Sequence, residues 1–364
     1  MRTMKAAVCR SFGEPLSVEA VTLADPGPGE VLVKLKACAI CHSDILFAEG
    51  GWGGDLPAVY GHEAAGIVEA VGDGVTRLQP GDHAVVTLIR SCGHCHYCGQ
   101  GKHTACETDF PLDRETPLHG QADGEALIHG LRTGGFADYV TVEASQAVAI
   151  PKDVPLDSAS LLACGVITGF GAVTNTAGLR TGETAAIIGC GGVGLNAVQG
   201  AALSGASAVI ALDPVPEKRA AAETFGATAA VDPMAEDAVA QVLALTDGRG
   251  VDYAFVTVGV KPAIDQALQL IGKTGAVVLV GMPPSGVMAD IDPGSLAAYS
   301  QRILGSKMGE ARVAVDIPTL VTHYRAGRLK LDELISNRYP LSQINEAIAE
   351  VRQGRVLRNV ITFD

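Results

Sequence analysis

The chain has 364 residues, 48% of them hydrophobic and 18% charged, a balance that suits two cored globular domains and excludes a disordered chain. A net charge of −13 without any cluster of Lys or Arg leaves no positive field for nucleic acid or an anionic membrane, so the expected partner is a small molecule. Only a few apolar residues separate Lys5 from Arg10, and no apolar run reaches the roughly 18 residues of a membrane span; a cytoplasmic protein is expected, in which nine cysteines point to metal or catalysis rather than disulfides.

Residues 1 to 90 read as β-rich. Val31 to Lys36 alternates after the turn-forming Pro26-Gly27-Pro28-Gly29, and Pro80-Gly81-Asp82 breaks the chain before Ala84-Val85-Val86, which suits a small antiparallel barrel or sandwich. Cys41-His42-Ser43-Asp44 and Gly61-His62-Glu63 lie within it. Taken singly, such a cysteine is usually a small core residue, and such a histidine is more often hydrogen-bonded structure than a ligand.

Four thiols follow within fifteen residues: Cys92, Cys95, Cys98 and Cys106. Their number, softness and regular spacing, with Gly93, Gly99 and Gly101 to supply turns, predict a closed, structural zinc lobe over 91–106. Four thiolates fill the shell, so His94, His96 and His103 are expected on exposed loop. The polar stretch from the lobe to 135 is too long for a plain connector.

After Cys164-Gly165 the pattern changes, from 166 on, to alternating strand and helix. Strands near 184–188, 207–212, 229–231, 252–257, 275–280 and 302–306 predict an α/β fold, a six-stranded parallel doubly wound Rossmann sheet. Gly189 suits the tight turn after the first strand, Gly191 a close approach of backbone to pyrophosphate, and Gly194 close packing of the helix whose free N–H groups point at phosphate. Asp213 ends the second strand, nineteen residues after Gly194, where a carboxylate accepts from a ribose 2′-hydroxyl; NAD is therefore expected over NADP. Helices near 316–326 and 342–353, the latter started by Ser342 and stopped by Gly354, and a strand at 356–363 complete the chain.

Cys41, His62 with Glu63, Cys164, the four-cysteine lobe, Gly189-x-Gly191-Gly192-x-Gly194, Asp213 with Lys218, and Arg358 stand in the order and separation of one family. The chain resembles, over essentially its whole length, the zinc-dependent alcohol dehydrogenases of the medium-chain dehydrogenase/reductase superfamily. The resemblance implies a β-rich GroES-like catalytic domain over 1–165 with a return at 305–364, a Rossmann domain over 166–304, and two zinc ions per chain. It implies that Cys41, His62 and Cys164 ligate a catalytic zinc with one position open, as two cysteines and one histidine require. Asp44 would orient the His62 ring, and Glu63 would approach the metal when the open ligand changes. His42 and Arg358 would face the pyrophosphate, Gly192 would belong to the phosphate turn, Lys218 would meet the adenosine ribose, and Thr168, Val193 and Val280 the nicotinamide half.

By the same resemblance a primary alcohol and its aldehyde interconvert by hydride transfer from a zinc alkoxide to NAD, with Ser43 as first acceptor of the alcohol proton. A histidine three residues beyond that hydroxyl ends the relay in many relatives; here the position is Leu46. Leu46, Leu88, Trp52 and Phe110 are expected to form an apolar pocket for a medium-chain, allylic or aromatic alcohol. Two rivals are a thiol-dependent formaldehyde dehydrogenase of the same family, which usually has an arginine where Phe110 stands, although Arg114 is near, and a non-enzymatic structural member, which would commonly lack the zinc ligands. The resemblance also implies a homo-oligomer, a dimer with a tetramer as alternative.

Overall fold

The computed structural model describes residues 1–122 and 124–364. The chain divides into two compact units, Met1–Cys164 with Arg312–Asp364, and Gly165–Ala311.

In the first unit, Arg2–Cys9, Ser17–Leu23, Leu118–Gly120, Ala126–His129 and Ala58–Val59 close a small barrel. Beside it a seven-stranded sheet runs Ala147–Ile150, His83–Val86, Glu63–Val71, Glu30–Ala39, Arg358–Thr362, Ile335–Pro340, with Tyr139–Glu143 also paired to Glu30–Ala39. The alternation seen at 31–36 is real, but Val31, Leu32, Val33 and Leu35 are all buried, because strand Glu30–Ala39 is covered on both faces. Two core clusters result, one inside the barrel around Met4, Val21, Leu23, Leu118 and Leu127, the other around Val33, Leu35, Tyr60, Phe136 and Ile361. Gly61, with φ of +93°, must lack a side chain: a Cβ there would stand 2.5 Å from the Phe136 nitrogen, whose N–H donates to the Tyr60 carbonyl at 2.8 Å. That close approach fixes the backbone immediately before His62.

The second unit is the expected parallel sheet, ordered Ala229–Val231, Ala208–Leu212, Thr184–Ile188, Val251–Val256, Ile271–Leu279, Arg302–Gly305. Its core is aliphatic, with Ile188, Ile210, Leu212, Val242, Val256 and Val277 all buried. Among the described residues no single helix is long and apolar enough to cross a membrane.

The tail departs from expectation in two places. Helix Ile344–Arg352 begins after Gln343, not at Ser342, which lies in a preceding 3-10 turn. Strand Ile335–Pro340, unforeseen, pairs in parallel with Arg358–Thr362. The strand at 271–279 also begins earlier than 275, across a register shift and a positive φ at Thr274.

Candidate metal centre and dinucleotide site

Strand Glu30–Ala39 delivers Cys41, which precedes helix His42–Ala48, and its antiparallel partner places Glu63 opposite Ala39. The two ligand-bearing corners, Cys41 and His62, therefore arrive side by side. Cys164, following the turn Leu161–Ala163, completes a buried group in which Cys41, His62, Glu63 and Cys164 offer donor atoms all within 4.8 Å of one another.

Asp44 ties the corners together. Its carboxylate accepts the Cys41 N–H at 3.0 Å, the Gly61 N–H at 2.9 Å and the His62 Nδ1–H at 2.8 Å, and it is 2% exposed. With Nδ1 so engaged, His62 Nε2 is left buried and without a hydrogen-bond partner in the same cluster as the two sulfurs. An orphaned imidazole nitrogen beside two thiols is the soft-to-borderline donor set that zinc takes at about 2.0–2.3 Å.

The electrostatics agree. A hydrogen bond from Cys164 holds the Cys41 sulfur toward thiolate, helped by His62, while the Cys164 thiol is pushed up by the same contact and by burial. Burial works against a charged His62, but Asp44 more than offsets it and raises that ring. Arg358, expected toward the pyrophosphate, is buried and 2.6 Å from Glu63, whose carboxyl burial pushes up to about 7 against the pull of the guanidinium.

The lobe forms a second cluster, with the sulfurs of Cys92, Cys95, Cys98 and Cys106 within 4.8 Å of one another. Backbone N–H groups of Cys95 and His94 point at Cys92 Sγ (3.2 and 3.5 Å) and that of Cys98 at Cys95 Sγ (3.5 Å), the pattern that stabilises thiolates, and Gly93 and Gly101 take the left-handed turns. Cys92 is drawn down to about 5, chiefly by the Thr108 hydroxyl. His94 and His96 are exposed, whereas His103 is half-buried in a 3-10 turn.

In the second unit, Gly189 has φ of +95°, and a Cβ on Gly194 would fall 1.7 Å from the Gly189 carbonyl oxygen. Gly191 precedes helix Gly192–Leu203 and a Cβ there would meet nothing within 4 Å, so the turn leaves an open cradle at a helix N-terminus, as a pyrophosphate requires. Asp213 is 4% exposed; Oδ2 accepts from Cys190 N–H (2.8 Å) and Oδ1 from Val215 N–H (2.9 Å). The turn and the acid are thus locked together. Lys218 is half-buried on helix Pro216–Thr224, Val193 lies on the first turn after the cradle, Val280 follows strand Ile271–Leu279, and Thr168 Oγ1 lies 3.6 Å from Met308 Sδ.

Ser43 Oγ is 3.6 Å from Cys41 Sγ, and His42 beside it is exposed. Leu46 closes over the next loop, where a Cβ on Gly51 would meet its Cδ1, and Trp52 packs edge-on to Phe47 at 5.1 Å. Leu88 and Phe110 are half-buried; the Phe110 N–H donates to Asp113, which buried Arg90 holds at 2.8 Å.

Residues 27–152 match the family model of the alcohol dehydrogenase GroES-like domain and 192–323 that of the zinc-binding dehydrogenases. An NDMA-dependent alcohol dehydrogenase of Amycolatopsis methanolica is 39% identical over 98% of each chain. The chain belongs to the zinc-binding alcohol dehydrogenases. Another relative of this alcohol dehydrogenase is the S-(hydroxymethyl)glutathione dehydrogenase of Saccharomyces cerevisiae, 37% identical over 99% of this chain and 96% of its own. Among solved structures, the benzyl alcohol dehydrogenase of Acinetobacter calcoaceticus superposes with a TM-score of 0.92 at 32% identity over 100% of both chains.

Two features of this alcohol dehydrogenase have no signal in the sequence reading. Arg90 is buried two residues before Cys92, bonded to Gln146, Asp113 and the Arg132 carbonyl. Arg219, next to the expected Lys218, donates to the Asp213 carbonyl at 2.6 Å. A charged side chain in a polar stretch reads as solvated unless its long-range partners are known.

Proposed function

We propose that this alcohol dehydrogenase oxidises primary aromatic, allylic or medium-chain alcohols, and reduces their aldehydes, with NAD and two zinc ions per chain. The observation that carries the reading is His62 Nε2, buried without a hydrogen-bond partner, in a residue whose donor atom lies within 4.8 Å of those of Cys41 and Cys164. Those three residues would hold the catalytic zinc and the four lobe cysteines the structural one. When bound, zinc supplies a Lewis acid for the alcohol oxygen and NAD the hydride acceptor.

The protein's own residues do the rest. Asp44 fixes the tautomer and direction of His62. Arg358 lies 2.6 Å from Glu63 beside the ligands, and its guanidinium works against the burial that pushes that carboxyl up. Ser43 takes the alcohol proton, and with Leu46 in the next relay position the outlet is water or the exposed His42. Leu46 and Trp52, both half-buried, would supply apolar surface for an aryl or alkyl group; the benzyl alcohol dehydrogenase, similar over its full length, supports that choice.

The thiol-dependent formaldehyde reading has the yeast relative in its favour. Against it, Phe110 stands where that class usually has an arginine, and Arg114 is exposed on the surface and ion-paired to Asp109 at 2.6 Å. A panel of alcohols and aldehydes with NAD and NADP, and formaldehyde with and without low-molecular-weight thiols, separates the two. Preference for formaldehyde plus thiol over benzyl alcohol would reverse the choice.

The same reading takes the protein as cytoplasmic and homo-oligomeric, a dimer before a tetramer. Supporting an oligomer, Arg302–Gly305 is a sheet-edge strand, and Met282, Met288 and Ile291 are exposed in the segment preceding it. Light scattering of the purified protein tests it.

A further inference from the structure

The C-terminal ends of strands Ala208–Leu212 and Ala229–Val231 lie side by side in the parallel sheet, and each is followed by an acid, Asp213 and Asp232. Between them reaches Arg219 from helix Pro216–Thr224. Its Nη1 donates to the Asp213 carbonyl at 2.6 Å and lies 3.4 Å from Asp232 Oδ2, with the guanidinium side chain 21% exposed. Asp232 is itself held, its Oδ1 accepting the Met234 N–H at 2.9 Å. The arginine is therefore a fixed cation at the edge where a dinucleotide's adenosine ribose is read, not a solvated one.

We propose that Arg219 is a second determinant of coenzyme choice in this protein, with Asp232 as its latch. This rests on the dinucleotide reading of Asp213 given above. While Asp232 engages the guanidinium, the edge presents two carboxylates against one pinned arginine; a ribose 2′-hydroxyl fits, and a 2′-phosphate meets repulsion with that guanidinium already committed. Remove the carboxylate charges and the same guanidinium, with several N–H donors in a planar fork, becomes a phosphate partner without any new residue. Selectivity for the unphosphorylated coenzyme is thus held by three residues acting together. Asp213 repels, Asp232 occupies Arg219, and Arg219 decides how much is gained when repulsion is lifted. Lys218 stays the same in every variant below and cancels in the comparison.

The test is calorimetric titration of the zinc-loaded full chain with NADH and with NADPH, which reads binding rather than turnover. The set is wild type, D213N, D232N, D213N/D232N, and the double variant carrying R219M or R219K. Asn at 213 keeps an oxygen for one of the two backbone N–H groups, and the thermal midpoint of each variant confirms folding. NADPH should bind about tenfold tighter in D213N and about tenfold tighter again in D213N/D232N, each step near the worth of one charge-assisted hydrogen bond. R219M in the double variant should return most of the second gain, R219K should keep part of it, and NADH affinity should change less than about threefold on altering Asp232 or Arg219. If R219M leaves NADPH affinity of the double variant unchanged while NADH still binds, Arg219 is no determinant and the proposal falls. Wild type that binds neither coenzyme would instead overturn the dinucleotide reading, and the proposal with it.

Discussion

Replacing Asp44 with Asn leaves the shape of the metal centre nearly intact and removes what ties its corners together. The carboxylate accepts three hydrogen bonds, from the Cys41 and Gly61 backbones and from His62 Nδ1, at 2.8–3.0 Å. An amide oxygen placed at the Oδ1 position still serves Gly61 and His62, but an NH2 then faces the Cys41 N–H, leaving a buried donor against a donor at a cost of about 1–3 kcal/mol. Loss of the negative charge also lowers the basicity of the His62 nitrogen that faces the metal, and such orienting partners are worth about 10–100-fold in metal affinity. Asp44→Asn should therefore weaken the catalytic zinc by roughly one to two orders of magnitude while the lobe zinc stays. Competition against a chromophoric chelator resolves the two sites, and circular dichroism confirms the fold. Undiminished affinity at both sites would refute the account of how the corners are held.

Ser43→Ala should slow alcohol oxidation in single turnovers by about 10²-fold, the worth of a positioned proton acceptor, whereas Leu46→His should speed small alcohols near neutral pH and weaken binding of cinnamyl alcohol. Cys95→Ala should lose one zinc and lower the thermal midpoint, since a structural site contributes to folding itself; elemental analysis with calorimetry checks it. Glu143 offers a test by pH: burial and the neighbouring Glu30 push its carboxyl up to about 7 from an ordinary 4.5, so the native state keeps this proton longer than the unfolded chain does. Its stabilising effect is greatest below pH 4.5 and is lost as pH rises to about 7, so Glu143→Gln should gain in thermal midpoint over wild type across that window and hold the gain above it.

The parts legible in the sequence are those whose physics is local. The Gly189–Gly194 turn, the strands at 184–188 and 208–212 and the acid at 213 follow from one short stretch, and the lobe from the spacing of four cysteines. The first metal centre is different. Cys41, His62 and Cys164 are brought together by sheet register, and only resemblance to a family joined them beforehand. Resemblance offered Asp44 as a partner of His62, but the backbone groups of Cys41 and Gly61 that it also binds depend on where strand Glu63–Val71 pairs. Ile335–Pro340 was illegible because Ser336, Asn337 and Arg338 are exposed and the strand exists only by pairing with Arg358–Thr362. Arg90 and Arg219 reach partners 23 or 56 and 6 or 13 positions away, and no periodicity announces that a cation will be latched.

The central claim is that Cys41, His62 and Cys164 hold a zinc on which alcohol oxidation by NAD depends. The most direct measurement is zinc per chain and NADH formation from benzyl alcohol, made on the same preparations of wild type and Cys164→Ala. The account predicts about two zinc ions and activity in the wild type, and about one zinc, a retained fold and no activity in the variant. Full activity from a Cys164→Ala protein that has lost a zinc, or from wild type holding the lobe zinc alone, would contradict it.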